Sequence, residues 1–345
     1  MWMTMQQGTS RLRFGVKILA VFVFGMCSTV AISQPYPTKP VRIVVGFPPG
    51  TGSDLVTRVV AQSLSERIKQ SVYVDNRPGA SGMIGAVAVA TAEPDGYTLL
   101  VSTNAGLIIT PLMAKNDSYH VKKSFSIVGG IVRTSMAMVT GTTPSSPASM
   151  ADIISRAKAA KGASVDRNFS SPGVGTLSHL TGEVFIGDQI LDMVHIPYKG
   201  SVLSLNDVAR GEVLFGVDTP TAALPFIQSG RLRAVAVTGE KRHQSIPNTP
   251  TFIELGGPAG MRNLFAWWGL LAPAGTPVQI VQRLSVELVR ILDDAEVIKR
   301  LQAMGLEPFP RTSEELVAFV DVELPFWERF LTQLGAASSD PGRKK

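Results

Sequence analysis

The stretch VRIVVGFPPGTGSD, from Val41 to Asp54, constrains the fold more than any other part of this chain. Four β-branched residues in VRIVV suit a strand covered on both faces, and Pro48-Pro49 stiffens the turn that follows. Beyond the turn, Leu55 to Ile68 repeats apolar residues at helical spacing, with Val56, Val60, Leu64 and Ile68 on one face. Ser53 or Asp54 is expected to cap this helix. Gly50 and Gly52 let a ligand approach the main chain without Cβ interference. The unpaired N–H groups and positive dipole end of such a junction favour a carboxylate or phosphate.

The first 33 residues combine a basic start (Arg11, Arg13, Lys17), an apolar run from Ile18 to Met26 and a small-residue cleavage site at Ala31-Ile32-Ser33. Together these predict a secretory signal peptide and an exported, soluble mature chain, with an uncleaved N-terminal anchor as the alternative. The single cysteine, Cys27, lies inside that signal, so neither disulfides nor thiolate chemistry is expected after cleavage. Removing the three cations lowers the formal charge from +6 to +3. That near balance, with no internal Lys/Arg block, argues against nucleic acid. About 312 remaining residues suffice for two domains with separate cores.

Strand-like runs at Val41–Val45, Val72–Val74, Tyr97–Val101, Met193–Ile196, Val213–Val217, Ala234–Val237 and Gly269–Leu271 alternate with helical patterns. This alternation predicts an α/β fold with mostly parallel sheets. Helices are expected over Val278–Leu292 and Ser313–Leu334, the second opened by a capping box from Thr312 to Glu315. A strand at Met136–Val139 before the loop GTTPSSPAS, and the Pro/Gly-rich stretch from Ile246 to Gly260, mark two domain crossings. The expected division is residues 34–137 plus 259–345 in one lobe and 138–258 in the other.

Short loops of Gly, Ser, Thr and Asn follow several strands, which is where open α/β sheets bind ligands. They are Phe47 to Asp54, Ser102-Thr103-Asn104, Ser170 to Thr176, Tyr198 to Ser201, and Asp218-Thr219-Pro220. Their donors are hydroxyls, amides and main-chain N–H groups, with Lys199 the one obvious cation. Such a set can hold a carboxylate because dipoles replace water.

These residues carry a resemblance over essentially the whole mature chain. The stretches YPTKPVRIVVGFPPGTGSD, VDNRPGASGMIGA, PDGYTLLVSTN, SSPGVGTLSHLTGE, HIPYKGS, Phe215 to Arg242 and WWGLLAPAGTP resemble the Bug family of periplasmic solute receptors, the binding subunits of tripartite tricarboxylate transporters. The resemblance implies a two-lobed Venus-flytrap fold (type II periplasmic binding protein) with two crossover strands and a small carboxylate in the cleft. It assigns one ligand carboxylate to the loop containing Phe47, Pro49, Gly50, Thr51, Gly52, Ser53 and Asp54. From the second lobe it implicates Ser171, Gly175, Thr176, His179, Tyr198, Ser201 and Asp218, with Ser102, Thr103 and Asn104 lining the wall between. It further implies a monomer serving transporter membrane subunits, or a receptor that signals to a sensor kinase, with no cofactor. Where the family commonly has three glycines this chain reads Gly50-Thr51-Gly52, and where it has Phe-Asp-Asn this chain reads Val217-Asp218-Thr219. Both departures face the ligand, so specificity does not transfer from a relative.

For His179 two readings stand, donation to a ligand or pairing with a backbone carbonyl. His195 is expected to be structural, while His120 and His243 are expected in surface loops. No pair has metal-ligand spacing, so no metal site is expected. Of Trp267 and Trp268, adjacent on a strand, one should enter the core and the other can reach the cleft. Arg77 is expected in a structural ion pair. An enzyme reading would join Ser171, His179 and Asp218 as a hydrolase triad, but GxSxG is absent and Ser171 precedes a proline. No enzymatic activity is expected.

Overall fold

Two β-sheets organise the chain, and the order of their strands shows the backbone leaving the first sheet, building the second and coming back. The structure is a computed structural model that describes Trp2 and residues 36–338 apart from 116 and 163, and its compact unit begins at Lys39. The signal-peptide expectation lies outside the described residues.

The first half of the first sheet grows from β1 (Val41–Val45), β2 (Val72–Asn76) and β3 (Thr98–Thr103), paired in parallel around β1. Val41, Ile43, Val44 and Val45 are fully buried, as a strand covered on both faces requires. The connection from β1 to β2 is α1 (Gly52–Ile68), which buries Val56, Val60, Leu64 and Ile68 as its periodicity predicts. A shorter helix, α2 (Met83–Ala90), links β2 to β3. After a π-helical turn at Ala105–Ile109 and the short α3 (Thr110–Ala114), the long β4 (Phe125–Ser135) runs toward the second sheet.

The second sheet contains β5 (Ala137–Gly141), β6 (Asn168–Ser171), β7 (Val194–Pro197), β8 (Phe215–Asp218) and β9 (Leu232–Val237), in the order β7-β6-β8-β5-β9. Between them lie α4 (Met150–Ala159), α5 (Leu177–Gln189), α6 (Ser201–Arg210) and α7 (Pro220–Gln228). Ala137, Val139, Leu205, Val208, Leu232 and Val237 form its core. Phe169 stacks on Phe215 at 5.5 Å between ring centroids, next to Phe185. The chain then returns through residues 238–264 to β10 (Phe265–Pro273), α8 (Val278–Leu292), α9 (Ala295–Ala303), β11 (Glu307–Arg311) and α10 (Ser313–Ser338). The first sheet is thereby completed in the order β11-β4-β10-β3-β1-β2.

Both sheets are mixed, which corrects the expectation of mostly parallel pairing. β10 runs antiparallel to β3 and β4, β11 antiparallel to β4, and β5 antiparallel to β8 and β9. The cause is the out-and-back path, since a strand that returns from the second sheet meets the outgoing one in the opposite direction. β4 escapes the periodicity because Gly129 and Gly130 interrupt it. A Cβ on Gly129 would lie 2.5 Å from the Arg311 carbonyl oxygen, and one on Gly130 would lie 2.6 Å from that of Phe309, so β11 closes onto bare backbone.

Two further expectations change. Thr51, with no side-chain capping bond, is the N-cap of α1, while Ser53 and Asp54 lie inside its first turn. His243 is 1% exposed and its Nδ1 accepts from the Ser245 N–H, so it is a core residue of the return segment. The capping box of α10 forms as expected: the Thr312 N–H donates to Glu315 Oε2 at 2.9 Å and the Glu315 N–H to Thr312 Oγ1 at 3.3 Å.

Candidate functional site

Four helices begin at one cavity of about 520 Å³. Gly50, Thr51, Gly52 and Ser53 bring the start of α1, Thr176, Leu177 and Ser178 that of α5, Ser201 that of α6, and Thr219, Thr221 and Ala222 that of α7. Each start carries N–H groups that lack an intrahelical acceptor and the positive end of a helix dipole. Among the described residues that line the cavity there is no Lys or Arg, and Asp218 is the one acid. The positive potential there is therefore supplied by peptide groups.

The loop from Phe47 to Asp54 is held from behind. The buried Asp54 carboxylate accepts from the Gly50 N–H and Arg58 Nε, both at 2.9 Å to Oδ2, and from Asn76 Nδ2 at 2.9 Å to Oδ1. Asn76 Nδ2 also donates to the Phe47 carbonyl at 3.0 Å. Burial pushes the Asp54 carboxyl up, but the bonds from Arg58, Gly50 and Asn76 outweigh it and hold it below the usual carboxylate range. Gly50 takes a φ of +83°, a conformation that a side chain would strain. The Thr51 hydroxyl donates to the Pro48 carbonyl at 2.8 Å, so it tightens the loop. Trp268 lines the cavity and donates from Nε1 to Ser53 Oγ at 2.8 Å, while Trp267 is buried and donates to Glu323 Oε2 at 2.6 Å. The alternation of a strand thus sends the two indoles to different sides.

The wall between the sheets depends on Glu323 of α10. Its buried carboxylate accepts from Asn104 Nδ2 at 3.0 Å and Trp327 Nε1 at 2.9 Å as well as from Trp267. Burial pushes this carboxyl up against those three hydrogen bonds. Asn104 Nδ2 also donates to the Phe265 carbonyl, which fixes the side chain at the cavity edge.

Of the residues singled out in the sequence, Phe47, Gly50, Thr51, Gly52, Ser53, Thr103, Asn104, Gly175, Thr176, Ser201 and Asp218 line this cavity. The others stand behind or beside it. Pro49 is exposed on the loop, Asp54 braces the loop as described, and Ser102 is buried within β3 opposite Gly269. Tyr198 donates its hydroxyl to Asp207 Oδ2 at 2.5 Å, and burial followed by that acidic neighbour pushes the phenol up to about 12. Ser171 Oγ lies 2.7 Å from His195 Nε2 and is fully buried. His179 accepts the Gly175 N–H on Nδ1 at 3.3 Å and stacks on His195 at 4.0 Å. Burial, reinforced by His179, pushes His195 down to about 3, so the His195 imidazole is neutral and serves as a structural partner in the stack. Arg77 pairs with Asp75 at 2.9 Å.

The chain also presents apolar residues that the loop chemistry did not reveal. Leu55, Met136, Leu177, Trp268, Met304 and Leu306 make much of the lining. Met304 and Leu306 arrive from the turn between α9 and β11, where the sequence looks like an ordinary helix end. Ser171, His179 and Asp218 do not join into a triad: Ser171 meets His195, and Asp218 Oδ1 accepts from the Ser201 hydroxyl at 3.1 Å and the Thr219 N–H at 2.7 Å. Among the described residues no cluster of His, Cys, Asp and Glu is arranged to hold a metal, and no helix is long and apolar enough to cross a membrane.

Residues 56–336 match the family described as tripartite tricarboxylate transporter family receptor. The chain belongs to that family. This receptor is 30% identical over 326 residues to Protein BugT of Bordetella pertussis, across 92% of this chain and 97% of BugT. Its structure is similar to that of the periplasmic binding protein BugD, with a TM-score of 0.73 and 32% identity over 87% of this chain and 99% of BugD. A protein of R. palustris solved with adipate gives a TM-score of 0.75 at 30% identity, over 87% of this chain and 98% of that one. The tripartite tricarboxylate transporter receptor is accordingly a two-lobed α/β solute-binding protein and has no enzymatic role.

Proposed function

We propose that this receptor captures a small organic carboxylate in the periplasm and delivers it to the membrane subunits of a tripartite tricarboxylate transporter. The observation that carries this reading is the convergence of four helix N-termini on one cavity with no Lys or Arg among its described lining residues. A carboxylate there meets donors already fixed in place by Asp54, Asn76 and Trp268. Adipate in the similar R. palustris protein adds support. The lobes in this reading are residues 34–137 with 259–345, and residues 138–258. They close as a monomer about the two crossings, at Met136 and in the return segment, and ligand shifts the open and closed populations by its differential affinity. The N-terminal residues act as the export signal.

Thermal shift of the purified protein, stripped of carried ligand by denaturation and refolding, tests this against a panel of small carboxylic acids. Binding at about 100 times the dissociation constant adds roughly 2.7 kcal/mol, or on the order of 5 °C for a protein of this size. A shift confined to a few related acids is the expected result. A cooperative melt that no acid moves would overturn the proposal.

A further inference from the structure

The cavity holds one group whose hydrogen bonding is incomplete. Asp218, at the end of β8, is 2% exposed and lines the cavity. Its Oδ1 accepts from the Thr219 N–H and the Ser201 hydroxyl, whereas its buried Oδ2 has no hydrogen-bond partner. A buried ionised oxygen without a donor is costly, and no Lys or Arg among the described lining residues offsets the charge. An anionic ligand entering the same space makes ionisation harder still, because two carboxylates cannot both remain charged at close range in a shielded site.

These constraints all have one resolution. The geometry points to Asp218 acting as a neutral carboxylic acid that donates its Oδ2–H to an acceptor oxygen of the ligand, so that the receptor selects acids with a second oxygen-bearing end and binds them with a proton. The inference rests on the carboxylate-receptor reading and names the feature of the ligand that this lobe recognises. The order of affinities follows: a diacid is preferred to a chain of the same length ending in methyl, and a chain ending in ammonium is disfavoured. Burial pushes the Asp218 carboxyl up to about 7 against the bonds from Thr219 and Ser201, which places the proton within reach of physiological titration. No charged side chain contributes to that shift. The groups around Asp218 that line the cavity from α6 and α7 are Ser201, Thr219 and Thr221, none of which ionises there.

The test is calorimetric titration of the stripped protein with adipate, hexanoate and 6-aminohexanoate at pH 6.5, 7.5 and 8.5, where each keeps its own charge. Adipate is expected to bind tightest, and its affinity to fall by about tenfold from pH 7.5 to 8.5 as Asp218 loses its proton in the free protein. Repetition in buffers of different ionisation enthalpy should show proton uptake with adipate. Asp218→Asn, which keeps a donor and cannot ionise, should flatten the pH dependence, and Asp218→Leu should abolish the preference of adipate over hexanoate. Hexanoate binding as tightly as adipate, a preference for 6-aminohexanoate, or affinity for adipate that stays level or rises with pH would each refute the neutral-acid role while leaving the receptor reading intact. If the folded protein binds none of the three and no acid of the thermal-shift panel either, the carboxylate reading fails and this inference with it; if a panel acid of another length binds, the same comparison is made with the diacid, methyl-ended and ammonium-ended chains of that length.

Discussion

Met136 and Thr238 hold each other across the two passages between the sheets: the Met136 N–H donates to Thr238 Oγ1 at 2.8 Å, and the Thr238 N–H returns a bond to the Met136 carbonyl at 2.9 Å. Both residues are buried, and Met136 also lines the cavity. Outgoing and returning chain are thus joined where they pass between the two sheets. Thr238→Val keeps the shape and removes the acceptor, leaving a buried N–H unpaired. The expected loss is about 1–3 kcal/mol of stability, read from urea unfolding, with Thr238→Ser nearly wild-type. An unchanged unfolding midpoint for the valine variant would show that the clasp contributes nothing.

The Asp54 brace should make the protein sensitive to acid. Its carboxyl titrates lower in the folded chain than in the unfolded one, so its contribution is fully present above the unfolded value of about 3.9 and is lost as the pH falls through the depressed folded value. Urea midpoints measured from pH 5 to pH 2.5 should decline less steeply in Asp54→Asn than in wild type. Parallel declines would mean that other carboxylates set the acid limit.

Trp268→Phe deletes the donor to Ser53 Oγ and leaves most of the aromatic surface in place. The hydroxyl of Ser53 is then free to turn, and the loop is less well ordered before ligand arrives. Affinity for a bound acid should fall by about three- to tenfold, the equivalent of one ordinary hydrogen bond, as measured by calorimetry. A ligand-induced change in indole fluorescence should fall with it, because Trp268 is the tryptophan on the cavity wall.

Replacing Glu323 with Gln presents an amide NH₂ to a site where three N–H donors converge. At least one donor among Asn104, Trp267 and Trp327 must go unpaired. Stability should drop by about 1–3 kcal/mol, and ligand affinity should weaken as Asn104 loses its anchor. The second effect separates a positioning role from a purely structural one, since a core defect alone would leave the dissociation constant unchanged in the folded protein.

The fold was legible where local pattern and tertiary role coincide. β1 reads as a doubly covered strand because each of its apolar residues is buried, and α8 begins and ends where its periodicity does. β4 was not legible, because its Gly-Gly pair looks like a break when β11 is not in view. The direction of pairing was equally hidden, since a strand carries no mark of which neighbour returns from the other sheet. At the site, the loop after β1 shows in sequence a helix N-terminus suited to an anion, but not that its one carboxylate, Asp54, braces the loop from behind. The resemblance points to Ser171 and His179 as ligand contacts, with a structural alternative for His179; neither lines the cavity, and Ser171 Oγ meets His195, on which His179 stacks. Met304 and Leu306 are not legible as site residues because nothing in a helix end announces that it faces a cavity whose other walls come mostly from segments more than 80 residues earlier.

A cavity polarised by helix ends also has a physiological meaning. Lysine and arginine side chains at an open cleft gather counterions, and a ligand must compete with chloride or sulfate for them. Helix-end peptide groups carry only partial charge, and their strength and direction are fixed by the backbone. A receptor built this way is expected to lose affinity for its solute less steeply with ionic strength than one whose site is lined by Lys and Arg.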